Sequence, residues 1–169
     1  DWIVNNPFVH SFSWDNIKNW FTKNILAGIS QNSNYYRPFL LFTFTLNYFL
    51  GGTNPVGYHL LSDILHVVNT VLVFIVLYQI FKNRFIAFWI SLIWLVHPLQ
   101  TEAVTYISGR GDPLSVFFML CALWFFIKDI KRSAISHKLT TMGFLLLALL
   151  SREKAVIFRF LLMVFYVSF

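Results

Sequence analysis

The stretch HPLQTEAVTYISGRGDP, His97 to Pro113, gathers a histidine, a glutamate, an arginine and an aspartate between two apolar runs. Its centre is Arg110, a guanidinium flanked by Gly109 and Gly111 and followed by Asp112 and Pro113. Asp-Pro has the form of a helix start, with a capping carboxylate and a ring that pre-sets the first helical dihedral. Glycines let backbone approach closely, and a helix N-terminus offers unpaired amides and the positive end of its dipole. The expected chemistry is anion binding, and in an apolar chain the fitting anion is a phosphate carried by a lipid. The alternative is an arginine that snorkels to headgroups or pairs with Asp112. A second constellation, His59, Asp63, His66 and Asn69, is spaced by 4, 3 and 3 and so occupies one helical face. Two imidazoles and a carboxylate could hold a metal, but no glutamate on an adjacent turn is placed to activate a water. A polar stripe lining a cavity is expected instead, with no metal and no cofactor. The third is SREK, Ser151 to Lys154, where Lys154 opens an apolar run on the same side as Arg110. His97-Pro98 ends a run, and a lone histidine there is more often a cap than a base. The chain contains no GxSxG, HExxH or P-loop pattern, which leaves serine hydrolase, zinc protease and NTPase readings without support.

These residues must be positioned by apolar helices. The 169 residues are 57% hydrophobic, 20% aromatic and only 12% charged, the balance of an integral membrane protein. The 13 Lys and Arg against 7 acids are scattered between apolar runs, so no nucleic-acid surface is expected. The single Cys121 lies inside an apolar run and excludes a disulfide framework. Residues 1–57 are aromatic and Asn-rich with charges throughout, and SWDNIKNWF is amphipathic, which predicts an outer-face segment lying at the membrane interface. Residues 58–169 form the transmembrane region, with helices expected at 58–81, 85–97, 113–127, 139–150 and 155–169. The fold class expected is all-α, a polytopic membrane bundle of about five spans.

Two of these runs are short. Phe85 to Val96 and Pro113 to Ile127 reach roughly 18 and 22 Å at 1.5 Å per residue, against a hydrocarbon core of about 30 Å. Their other ends are pinned by KNR and KDIKR, so the connection from His97 to Asp112 is expected to dip into the membrane as non-helical backbone beside protein or a wet cavity. Lys82, Arg84, Lys128, Lys131, Arg132 and Lys138 lie on one side and Arg110, Arg152 and Lys154 on the other, which places the first side in the cytoplasm and the polar connection outside. The run ends at both termini without a start or a stop signal, so a fragment of a longer protein is expected.

The motifs NNP shortly after an acidic residue, YYRP with LNY downstream, GYHLLSDILHVVN, HPLQTEAVTYISGRGD and LSREKA resemble, in order and spacing, the transmembrane region of the O-mannosyltransferases that carry tetratricopeptide repeats, and their bacterial relatives. That family is similar to the protein O-mannosyltransferases and oligosaccharyltransferases of the GT-C fold. The resemblance implies a membrane glycosyltransferase, expected in a bacterial inner membrane with its site facing outward. It would transfer a hexose such as mannose, with inversion, from a polyprenyl-phosphate donor to a hydroxyl acceptor, expected to be protein Ser or Thr. It also implies that Asp1, matching the family's acidic position, is the general base. Arg110, Lys154 and Arg37 would hold the donor phosphate, and His97, Glu102, Asp112, His59 and His66 would orient these groups. Asp63 and Arg159 depart from the family pattern. The rival reading is a transporter or flippase whose polar residues line a permeation path.

Overall fold

The computed structural model describes residues 3–31, 33–132 and 135–158, and these are helical, with no strand among them. Each helix is delimited by its own sequence signals. Helix α1, Trp14–Thr22, starts where the Ser13 hydroxyl accepts from the Asn16 amide (3.2 Å), and it buries Trp20 while leaving Trp14 and Phe21 exposed. Helix α2, Pro38–Gly51, has proline at its first turn and buries Leu40, Leu41 and Phe44. The hydroxyls of Thr43 and Thr45 return to the Leu40 and Leu41 carbonyls, which lets polar residues sit in the interior. Gly52, with φ of +60°, ends α2 in a backbone conformation that glycine tolerates. Asn54 caps α3, Pro55–Phe81, by accepting from the Val56 amide, and Asn83 caps α4, Arg84–Val96, through the Phe85 and Ile86 amides.

Helix α5, Leu99–Thr105, a 3-10 turn at Ile107–Arg110, and the long helices α6, Gly111–Arg132, and α7, Ile135–Ser151, complete the chain before a last 3-10 turn at Glu153–Ala155. Side by side the long helices run α4, α3, α6, α7, with α2 laid against α3, α7 and the 3-10 turn at Pro7–Val9. One core joins Phe8, Val9, Trp20, Leu40, Leu41, Phe44 and Tyr58, so the N-terminal segment is a folded cap on the bundle. A second core at Leu114, Phe118, Ala148 and Ala155 ties α6 to α7. Gly28 belongs to the cap. A Cβ there would stand 1.8 Å from Asn6 Oδ1, because the fully buried Asn6 spans from the Phe8 amide to the Ile25 carbonyl beneath it.

Two hydrogen bonds set the depth of the polar connection. His66 Nε2 donates to the Leu95 carbonyl (3.0 Å), and Asn69 Nδ2 donates to the Pro113 carbonyl (2.8 Å). These residues stand 11 and 14 positions along α3, roughly 16 and 21 Å from its start, so α4 ends and α6 begins well below the first turn of α3. The connection lies deep, but it is helical where non-helical backbone was expected. Helix α5 and the 3-10 turn satisfy their own carbonyls, which lowers the cost of that depth. Helix α6 also begins at Gly111, directly out of the 3-10 turn. Asp112 therefore lies in its first turn and is not the N-cap, and the helix has no free terminus facing the connection.

The span count is lower than expected. Two helices, Pro55–Phe81 and Ile107–Lys128, are long and apolar enough to cross a membrane, and the apolar helices Pro38–Gly51 and Arg84–Val96 are shorter. Most of the region expected as the fifth helix, 159–169, lies outside the described residues. Helix α4 exposes Phe85, Phe88, Trp89, Ile93 and Val96, and α3 exposes Val56, Leu60, Ile64, Val67 and Val71. Contiguous apolar surface of that extent marks a face for lipid or for other helices, and supports association with a membrane.

Candidate functional site

The start of α2, the connection around α5, the first turn of α6 and the segment after α7 meet around a cavity of about 510 Å³. Arg37, Arg152 and Lys154 reach it together with Glu102 and Asp112. Arg37 brackets Glu153, with Nε 3.2 Å from both carboxylate oxygens and Nη2 3.0 Å from Oε2. Partial burial opposes ionisation of Glu153, but the hydrogen bonds and charge of Arg37 and the backbone donors around it prevail and hold the carboxyl below its usual range. Arg152 pairs with Asp112 across the α6–α7 ends. Among the described residues Lys154 and Glu102 have no ionic partner, so the cavity offers one uncommitted cation and one uncommitted carboxylate beside two ion pairs.

Arg110 is elsewhere. Its side chain is fully buried and points between α2 and α3, where Nη1 donates to Asn47 Oδ1 (2.5 Å), Nη2 to the Tyr58 carbonyl (2.8 Å) and Nε makes a longer contact to Ser62 Oγ (3.5 Å). The rings of Phe44 and Tyr58 lie 4.7 and 5.5 Å from the guanidinium carbon. The expectation that Arg110 faces a donor phosphate is corrected accordingly. The 3-10 turn aims the guanidinium into the fold, where amide, carbonyl and aromatic groups occupy it.

The remaining candidates separate. Arg37, Lys154, Glu102 and Asp112 come together in the charged cavity. His59 lines a second cavity of about 440 Å³ with Tyr48, Tyr58, Thr105 and Tyr106, and no charged side chain among the described residues lines it. His66 is engaged between α3 and α4, away from both cavities. His97 Nδ1 accepts from the Leu99 amide (3.2 Å) and so caps the turn into α5. Neither histidine lines the charged cavity. Asp1 lies outside the described residues. The His59–Asn69 stripe does not close around a metal: Asp63 is exposed, and the described residues contain no group of three His, Cys, Asp or Glu side chains suited to one.

Arg152 was missed as a site residue, although it stands in SREK beside Lys154 and was counted only for orientation. Tyr106 and Ser108, which line both cavities, stand inside the stretch HPLQTEAVTYISGRGDP but carry no charge to draw attention. Asn47, the partner of Arg110, is the asparagine of LNY.

Comparison with known proteins places the chain in a family. The chain is 37% identical over 139 residues to human Protein O-mannosyl-transferase TMTC1, covering 79% of this chain and 15% of that protein. It is 36% identical over 160 residues to Protein O-mannosyl-transferase F38B6.6 of Caenorhabditis elegans, 91% of this chain and 22% of the relative. It is 42% identical over 87 residues to human Protein O-mannosyl-transferase TMTC3, 52% of this chain and 9% of the relative. The chain is a relative of the TMTC protein O-mannosyl-transferases. It spans about a fifth or less of the length of these relatives. They are animal proteins, so the expected bacterial source finds no support in them. No family model matches the chain, and no solved structure matches it.

Proposed function

We propose that the protein transfers a sugar, mannose in the simplest case, from a polyprenyl-phosphate donor to a hydroxyl of a protein acceptor at the outer face of the membrane. The observation that carries this reading is the charged cavity, where Arg37, Arg152 and Lys154 converge at the ends of apolar helices. A lipid-borne phosphate meets such a site from the bilayer side. Cations fixed in place before reaction act on a charge that develops during it. Similarity to proteins named O-mannosyl-transferases favours transfer to protein over transport.

In this reading a carboxylate takes the proton of the acceptor hydroxyl while its oxygen attacks the anomeric carbon, with inversion. The bond from that carbon to the phosphate oxygen breaks, and polyprenyl phosphate leaves as an anion. Asp1 keeps the role of base that the resemblance gives it. Lys154, free of an ionic partner, and Arg152 receive the leaving phosphate. Arg37, held by Glu153, keeps the rim of the cavity in place, and Glu102 and Asp112 orient the cations.

Washed membranes containing the full-length protein, supplied with polyprenyl-phosphate mannose and an acceptor protein, test the reading. Polyprenyl phosphate should appear in proportion to glycosylated acceptor. Movement of the lipid-linked sugar across the membrane without transfer would favour a transporter and overturn it.

A further inference from the structure

Three of the cavities on this molecule differ in chemistry and lie next to one another. The charged cavity is in the middle. On one side it shares Tyr106 and Ser108 with the neutral cavity, so those two residues form a common wall. On the other side it adjoins an apolar groove of about 300 Å³ between α1, α2 and the end of α7, which presents no polar surface. Arg37 of the charged cavity is followed by Pro38 of the groove, and Leu150 of the groove stands two residues before Arg152. A polyprenyl-phosphate sugar has the same order of parts: a hydrocarbon chain, an anion and a neutral ring rich in hydroxyls.

We infer that the three cavities are one track for the lipid-linked sugar, with the first isoprene units in the groove, the phosphate in the charged cavity and the sugar ring in the neutral cavity. This rests on the donor class given under Proposed function and adds where each part of the donor lies. The scissile bond is then at the wall formed by Tyr106 and Ser108.

The neutral cavity suits a sugar better than a second lipid chain. Thr53, His59, Thr105, Tyr106 and Ser108 line it, and none of these side chains has a hydrogen-bond partner among the described residues. They are free to exchange bonds to water for bonds to a ligand's hydroxyls, while Tyr48, held by stacking on His10 (ring centroids 4.4 Å apart, 16° between planes), offers a fixed flat wall. The groove has the opposite character. Phe21 and Phe42 line it and remain 55% and 37% exposed, apolar area that a hydrocarbon chain would cover.

The test measures binding to the full-length protein in lipid nanodiscs with three probes: polyprenyl phosphate, the same lipid carrying mannose, and a two-isoprene phosphate. Wild type should bind the mannosylated lipid more tightly than the bare one. Thr105→Val and Thr53→Val, which keep side-chain shape and remove a hydroxyl, should each lower affinity for the mannosylated lipid about threefold to tenfold and leave the bare lipid unchanged. Phe21→Gln should weaken all three probes severalfold, because the first two isoprene units already lie in the groove, and unchanged affinity would remove the lipid chain from it. Equal losses for both long lipids in the threonine variants, or none, would remove the sugar from the neutral cavity. A rise in acceptor KM alone would make that cavity the acceptor's and overturn the assignment. Failure of wild type to bind any of the three probes would instead refute the donor class, which separates the two failures.

Discussion

Arginine occupies two opposite environments in this molecule. Arg110 is fully buried and bound by neutral groups: one amide oxygen, one carbonyl, one hydroxyl and two aromatic faces. Arg37 and Arg152 stand at a cavity, each paired with a carboxylate, beside a lysine that has none. The first arrangement satisfies a charge internally and leaves little to offer a ligand. The second keeps its charge near an opening, where a phosphate can compete for the guanidinium groups and take the free ammonium. The location of a cation relative to the fold, more than its neighbours in sequence, decides whether it holds the protein together or handles a substrate.

The largest effect that can sharpen this contrast is loss of Arg110. Arg110→Ala leaves Asn47 Oδ1 without its partner and opens a cavity between α2 and α3, and should destabilise the protein by about 2 to 5 kcal/mol, by the same margin with and without donor lipid. Thermal unfolding in detergent reads this, and Arg110→Lys should recover only part because an ammonium cannot reach acceptors on α2 and α3 together. Next comes the cap. Gly28→Ala places a methyl against Asn6 Oδ1 and should cost about 2 kcal/mol by breaking the Asn6 bonds to Phe8 and Ile25, without changing donor affinity in the folded fraction.

The elements were legible in sequence where hydrophobic runs and caps agree. Pro55–Phe81 and Arg84–Val96 lie within a few residues of the expected bounds, and α1 coincides with SWDNIKNWF. Helix α2 was hidden, because the charges Asp15, Lys18, Lys23 and Arg37 set the reading of residues 1–57, and the bonds that let Thr43, Thr45 and Asn47 sit inside an apolar helix show only in the structure. The candidate site was legible as a set of residues, since Arg37, Glu102, Asp112 and Lys154 do converge, but not as an arrangement. The direction of Arg110 depends on one short 3-10 turn that places the side chain toward α3, and glycines on both sides carry no pattern that reveals it. Arg152 was hidden because a charged loop residue next to a helix end has the same appearance whether it faces solvent or a cavity.

Smaller effects belong to the cavity. Arg152→Ala frees Asp112 beside the proposed phosphate and should weaken polyprenyl-phosphate binding by roughly tenfold or more, through a lost charge-assisted bond and an added repulsion, with little change in unfolding temperature. The smallest concerns pH. Arg37 holds the Glu153 carboxyl below its ordinary value of 4.5, so the pair contributes fully above that value and its contribution is lost as pH falls through the lowered one. Glu153 is 42% exposed at its side chain, so the effect on stability should stay below about 1 kcal/mol. An acid titration of unfolding temperature should show this loss in wild type and not in Glu153→Gln.

The central claim, that the cavity cations and not Arg110 hold the donor phosphate, is tested most directly by polyprenyl-phosphate affinity measured on the folded fraction of Lys154→Gln and Arg110→Lys, each with its unfolding temperature without lipid. Lys154→Gln should unfold at the wild-type temperature and bind about tenfold or more weakly, while Arg110→Lys should unfold at a lower temperature and bind with wild-type affinity. Unchanged affinity in Lys154→Gln together with a tenfold loss in Arg110→Lys would contradict the account.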